Sequence, residues 1–127
     1  MSDATATKAF PTADVISAIT GRLISDIGGI YRVLDWMTGE SLFTHQLPRA
    51  VREARPIAVA FDPRLGVVVD EAEQVTEQNW QAWRDCWVER FGPEIVVPKL
   101  TADQHKRIDP ISELSAMTAN PKDPNHA

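Results

Sequence analysis

The 127-residue sequence has one cysteine, Cys86. A single thiol excludes an intrachain disulfide and a cysteine-based zinc site, and it suits a reducing compartment. No run approaches the roughly 20 apolar residues that span a bilayer. The leading stretch MSDATATKAFPTAD has no apolar h-region, which argues against a secretory signal and sets a cytoplasmic expectation. Basic residues are also in deficit, 13 Lys and Arg against 18 Asp and Glu, for a net charge of −5. Coating nucleic acid needs clustered cations that neutralise phosphates, so direct nucleic-acid binding is not expected. Neither GxxxxGK nor GxGxxG surrounds Gly28-Gly29, and no HxH or HxxxH pair occurs. Ser41 and Thr44 lack the setting of a nucleophile elbow. With no catalytic signature, neither an enzyme nor a metal or cofactor is expected.

What is present describes an ordinary globular chain, 43% hydrophobic and 24% charged, of a length that fits one domain with a real core. Residues 1–9 are small and polar and are expected to fray. Residues 10–118 form the expected domain, and residues 119–127 (ANPKDPNHA) an expected disordered tail. From Thr12, a plausible N-cap, Val15, Ile16, Ile19 and Leu23 recur at helical spacing. Gly28-Gly29 then separates or kinks two helices. Ile30, Val33, Leu34 and Met37 follow the i, i+3, i+4, i+7 template over a second helix of about 28–38, and Gly39 stops it. Leu42 and Phe43 lie in the next loop, where Phe43 is the expected core plug. Pro48 opens a third helix whose face is Leu47, Val51, Ala54 and Ala58. Pro56 kinks or restarts that helix, and Asp62-Pro63 ends it.

The run GVVVD at 66–70 reads as a β-strand. A helix capped by Thr76 follows, with Trp80, Trp83, Trp87 and Phe91 along one face. Gly92-Pro93 closes it. Ile95–Val97 is a second β-branched run. Strand, helix and strand fit a minimal βαβ unit, although antiparallel pairing is also open. Asp109-Pro110 starts a last helix with Ile111, Leu114 and Met117 as a small docking edge. The expected fold class is α+β, predominantly helical, with four to five helices and a two-stranded β element.

Several side chains are candidates for function. His45 is the one histidine expected in the folded body, since His105 falls in a polar stretch that reads as mobile; a loop histidine bonded to backbone is the plain reading. Asp35, Glu40 and Glu53 could pair as carboxylates, but nothing in their spacing demands it. Cys86, between Trp83 and Trp87, reads as a small buried hydrophobe. The tryptophan stripe reads as core rather than as a stacking platform. Arg49, Arg52 and Arg55 recur every third residue on the third helix and are the main surface feature. Residues 70–94 hold seven acids, among them Asp70, Glu71, Glu73 and Glu77, against two arginines. That segment either meets a partner or pairs with the arginines inside the fold. The partner-binding candidates are therefore Arg49, Arg52, Arg55, His45, Asp70, Glu71, Glu73 and Glu77.

The stretch TGRLISDIGGIYRVLDWMTGESLFTHQLPRA resembles a family of small phage and prophage proteins of uncharacterised function. The elements that carry the resemblance are Thr20-Gly21-Arg22-Leu23, Asp35-Trp36-Met37-Thr38-Gly39 and Leu42-Phe43-Thr44-His45-Gln46-Leu47-Pro48-Arg49. Weaker similarity runs through Asn79-Trp80 and Ile108-Asp109-Pro110, and the sequence departs from the pattern at Pro56. The resemblance implies a context rather than a reaction: a non-enzymatic protein that inhibits a host defence complex, CRISPR–Cas among them, by steric block. A small nucleic-acid-binding regulator using the arginine helix is the alternative.

Overall fold

Val15, Ile16, Ala18 and Ile19 are fully buried within one short segment. A helix apolar on nearly all sides belongs at the centre of a core. The computed structural model, which describes residues 6–118, shows this. Helix α1 (Thr12–Thr20) packs against α2 (Ile27–Thr38), α3 (Leu47–Phe61), α4 (Arg64–Ala72) and α5 (Trp80–Phe91). Strands β1 (Thr7–Pro11) and β2 (Glu94–Pro98) form a two-stranded sheet, and α6 (Pro110–Thr118) is the last described element. The protein is a predominantly helical α+β domain. No helix among the described residues is long and apolar enough to cross a membrane.

The ends of these helices follow local chemistry. Gly21, at φ 77°, turns the chain out of α1, and its N–H donates to the Ser17 carbonyl at 2.9 Å. That turn sends Leu23 outward at 55% exposure and places Ile24 in the core instead. Asp26 caps α2 by accepting from the Gly29 N–H at 2.8 Å, so Gly28-Gly29 lies in the first turn of α2 rather than at a junction. The stripe Ile30, Val33, Leu34 and Met37 is buried as its spacing predicts. Thr12 is not a cap: its hydroxyl donates to the Gly92 carbonyl at 2.6 Å and ties α1 to the end of α5. Thr76 opens the turn before α5, and Asn79 holds the N-cap position. In the loop after α2 it is Leu42 that plugs the core; Phe43 is 53% exposed.

Further expectations fail for instructive reasons. Residues 66–70 are helical, within α4, and not a strand. Leu65, Val68 and Ala72 are buried at i, i+3, i+7 while Val67 faces solvent. Five apolar-rich residues are too few for periodicity to separate strand from helix, and burial decides. There is consequently no βαβ unit. β2 lies where expected but pairs antiparallel with β1, from Thr7 opposite Pro98 to Pro11 opposite Glu94. Residues 7–9 are therefore strand rather than frayed end. Nor does Pro56 restart the helix, since α3 runs through it from Leu47 to Phe61. The proline sits on an exposed face, where the Arg52 carbonyl that it leaves unpaired can meet water. The expected disordered tail, 119–127, lies outside the described residues.

The expected α6 edge is also corrected. Ile111 and Met117 are 65% and 52% exposed, so apolar contact does not dock this helix. Asp109 caps it by accepting from the Ser112 N–H at 3.0 Å. Its attachment is polar and leads to the site.

Candidate functional site

Helix α3 has two working faces, and they do different things. Its first face carries Gln46, at the end of a short 3-10 turn, then Arg49 and Glu53, one turn apart each. Arg49 grips Glu113 of α6 with two parallel hydrogen bonds of 2.9 Å, and its third nitrogen donates to Glu53 at 2.9 Å. Gln46 is 1% exposed; its amide donates to Glu113 and to the Ile108 carbonyl. The Arg49 hydrogen bonds hold the Glu113 carboxyl at about 2, far below its ordinary value, against a smaller opposing effect of burial. Burial pushes Glu53 up, but hydrogen bonds from His105, the Lys106 N–H and Arg49 outweigh it and hold Glu53 below the usual carboxylate range. The bidentate bond to Glu113 raises Arg49.

His105 completes this clasp, and the sequence reading missed it. Its side chain is 3% exposed rather than mobile. Nδ1 lies 2.5 Å from Glu53 Oε1, and Nε2 contacts Glu40 Oε2. The carboxylates Glu40 and Glu53 thus do converge, on His105; Asp35 instead accepts from the Leu42 N–H at 3.0 Å. Both ring nitrogens are committed to these carboxylates. The only local signal was a turn, with Gln104 accepting from the Thr101 N–H. Lys99 and Arg107 line a cleft of about 390 Å³ beside His105. They gather over Gly39 at the C-terminus of α2, where cations complement the helix dipole.

The other candidates are mostly structural. His45 Nε2 is 2.8 Å from the Pro110 carbonyl. Arg55 donates to the Ile19 and Thr20 carbonyls at 2.6 and 3.3 Å, satisfying the C-terminal end of α1. The arginines do not pair with segment 70–94 as one expectation had it. Glu71 accepts from both indole N–H groups, Trp83 at 2.9 Å and Trp87 at 3.0 Å, so it is a strut for α5 and not a partner contact. Asp70, Glu73 and Glu77 are exposed. Of the tryptophan stripe, Trp87 is buried and Trp80 and Trp83 partly so, whereas Cys86 is exposed rather than buried. Among the described residues, no group of three or more His, Cys, Asp or Glu side chains is placed to hold a metal ion.

The second face of α3 borders a groove of about 430 Å³. Ile30, Leu47 and Val51, each under a tenth exposed, form its floor. Leu23 and Ile27, at 55% and 49% exposure, form one wall. Pro48, Arg52 and Arg55 form the other. The groove exists because Gly21 turns Leu23 out of the core and Asp26 starts α2 at Ile27.

A small α+β domain with a polar clasp and an apolar groove on opposite faces of one helix is the class that this geometry defines. In its residues 10–60 the chain is similar to a family known as a domain of unknown function, DUF7736. Every residue that lines the groove falls within that match; His105 and Glu113 of the clasp fall outside it. No curated protein and no solved structure matches the chain.

Proposed function

We propose that the chain is a non-enzymatic binding protein whose partner, a protein, docks in the groove between α2 and α3. One observation carries this reading: Leu23 and Ile27 hold large apolar side chains half in solvent over a 430 Å³ apolar hollow. Apolar surface gathered around a pocket and rimmed by charge is the anatomy of an interface centre. The resemblance of residues 20–50 to small phage and prophage proteins supports the partner class, a host defence complex such as a CRISPR–Cas effector. Inhibition is steric and needs no cofactor. The host cytoplasm suits an exposed, unpaired Cys86. Asp70, Glu73 and Glu77 stand clear as a secondary surface for a basic channel. The nucleic-acid regulator has less support, because Arg49 and Arg55 are engaged internally and leave Arg52 alone on the helix.

The test is an interference assay in cells that carry an active CRISPR–Cas system, read as plaquing of a targeted phage. The wild-type chain is expected to restore plaquing, and the pair Leu23→Asp and Ile27→Asp to abolish the effect without altering the circular dichroism spectrum. No restoration by wild type would sink the defence reading; full activity of the double variant would sink the groove.

A further inference from the structure

We infer that the occupant of the groove is an amphipathic α-helix whose apolar face is flanked by Asp or Glu. This rests on the protein-binding reading above and names the partner's chemistry. Three observations lead to it.

The first concerns shape. Pro48, Val51, Arg52 and Arg55 lie at i, i+3, i+4 and i+7 on α3, so that wall is about 10 Å long, two helical turns. A partner helix with apolar anchors at the same spacing has the same length.

The second concerns backbone. None of the lining residues belongs to β1 or β2. An extended peptide gains its affinity from an unpaired sheet edge, and the groove offers none. Its surface is side chains, which suits a helix that brings only side chains.

The third is charge. Four described arginines have no carboxylate within ion-pair distance: Arg22, Arg52, Arg55 and Arg90. Arg90 covers the Trp87 ring. Arg52 and Arg55 line this groove, and Arg22 lines the cleft next to it, in a chain of net charge −5. Arg22 and Arg55 donate to main-chain carbonyls, which fixes their guanidiniums without neutralising them. Glu73 lines the adjoining cleft together with Arg22 and Arg55, and Glu77 lines another with Arg22, but neither lines the groove or comes within ion-pair distance of these arginines. An acidic flank on the partner supplies the missing counter-charge, while a basic flank or a like-charged second surface is repelled.

The experiment pans the full chain against a displayed library of helical peptides of about 16 residues, some four turns each. Enriched peptides are expected to carry large apolar residues at i, i+3 or i+4 and i+7, with Asp or Glu beside them. Leu23→Asp should abolish their binding. Arg52→Glu should weaken it roughly tenfold, and peptides with Lys flanks should regain affinity for that variant. The inference is overturned if the enriched peptides are basic, lack helical spacing or bind both variants unchanged, or if none is enriched. It is likewise overturned if the groove holds a second copy, seen as a dimer in light scattering that Leu23→Asp dissolves, or a DNA duplex. If plaquing in cells depends on Leu23 and Ile27 while panning returns no acidic helix, this inference fails and the protein-binding reading stands.

Discussion

Two adjacent glycines, indistinguishable in sequence, have different jobs. A Cβ built on Gly29 would stand 2.1 Å from Asp14 Oδ1 and 2.5 Å from its Cγ. Asp14 is 5% exposed and has little room to move. A Cβ on Gly28 meets only the end of Arg32 and the Asp26 carboxylate, at 3.3 Å. Alanine favours a helix by about 1 kcal/mol over glycine, whereas overpacking costs about 1–3 kcal/mol. Gly29→Ala is therefore expected to lower the urea midpoint, and Gly28→Ala to leave it level or raise it. Equal midpoints for the two variants would show that the close approach of α1 and α2 is not a constraint. The three arginines make a similar point. A step of three residues turns about 300° around a helix, so Arg49 and Arg55 point about 120° apart. One closes the clasp, one satisfies α1, and only Arg52 stays free for solvent.

At the scale of elements, the last stretch of chain is held by charge rather than by apolar burial. Glu113 titrates near 2 in the fold and near 4.5 without it. A carboxyl lowered by folding stabilises the native state fully above its unfolded value, and that contribution is lost as pH falls through the folded one. Glu53 is shifted in the same direction. Segment 105–118 is therefore expected to loosen between about pH 4.5 and 2, while the core helices hold. Amide NMR shifts of 105–118 followed along an acid titration would show it. Glu113→Gln should loosen α6 at neutral pH and flatten that titration; an unchanged α6 would mean that other contacts dock it. This attachment could not be read locally, because Arg49 and Glu113 lie 64 positions apart.

At the scale of the whole molecule, the family match covers α1 to α3 yet not a self-sufficient core. Leu65, Val68, Trp87, Ile95 and Val97 all belong to the core cluster and all lie outside residues 10–60. Phe10 stands opposite Ile95 in the sheet. A fragment of 10–60, already in the size range where burial is thin, is expected to show no cooperative thermal transition by circular dichroism, whereas residues 6–118 should melt as one unit. A cooperative melt of the short fragment would make the remainder an accessory layer. The same dependence explains why the groove needs the complete fold: its floor is firm only while α1 is packed on α4, α5 and β2.

Elements with a long period and a clear stop were legible in the sequence. The buried face and the stop of α2 were written in Ile30, Val33, Leu34, Met37 and Gly39, because many positions vote for one helical face. α5 was legible for the same reason, and the cap of α6 in Asp109-Pro110; β2 was read from a run as short as 66–70, and its pairing with β1 makes it a strand. The helical nature of 66–70, the strand at 7–11, the burial of His105 and the exposure of Leu23 and Ile27 were decided only in three dimensions. In each case the deciding partner is distant in the chain or the local window is too short, so the energy that chooses is tertiary burial rather than local preference.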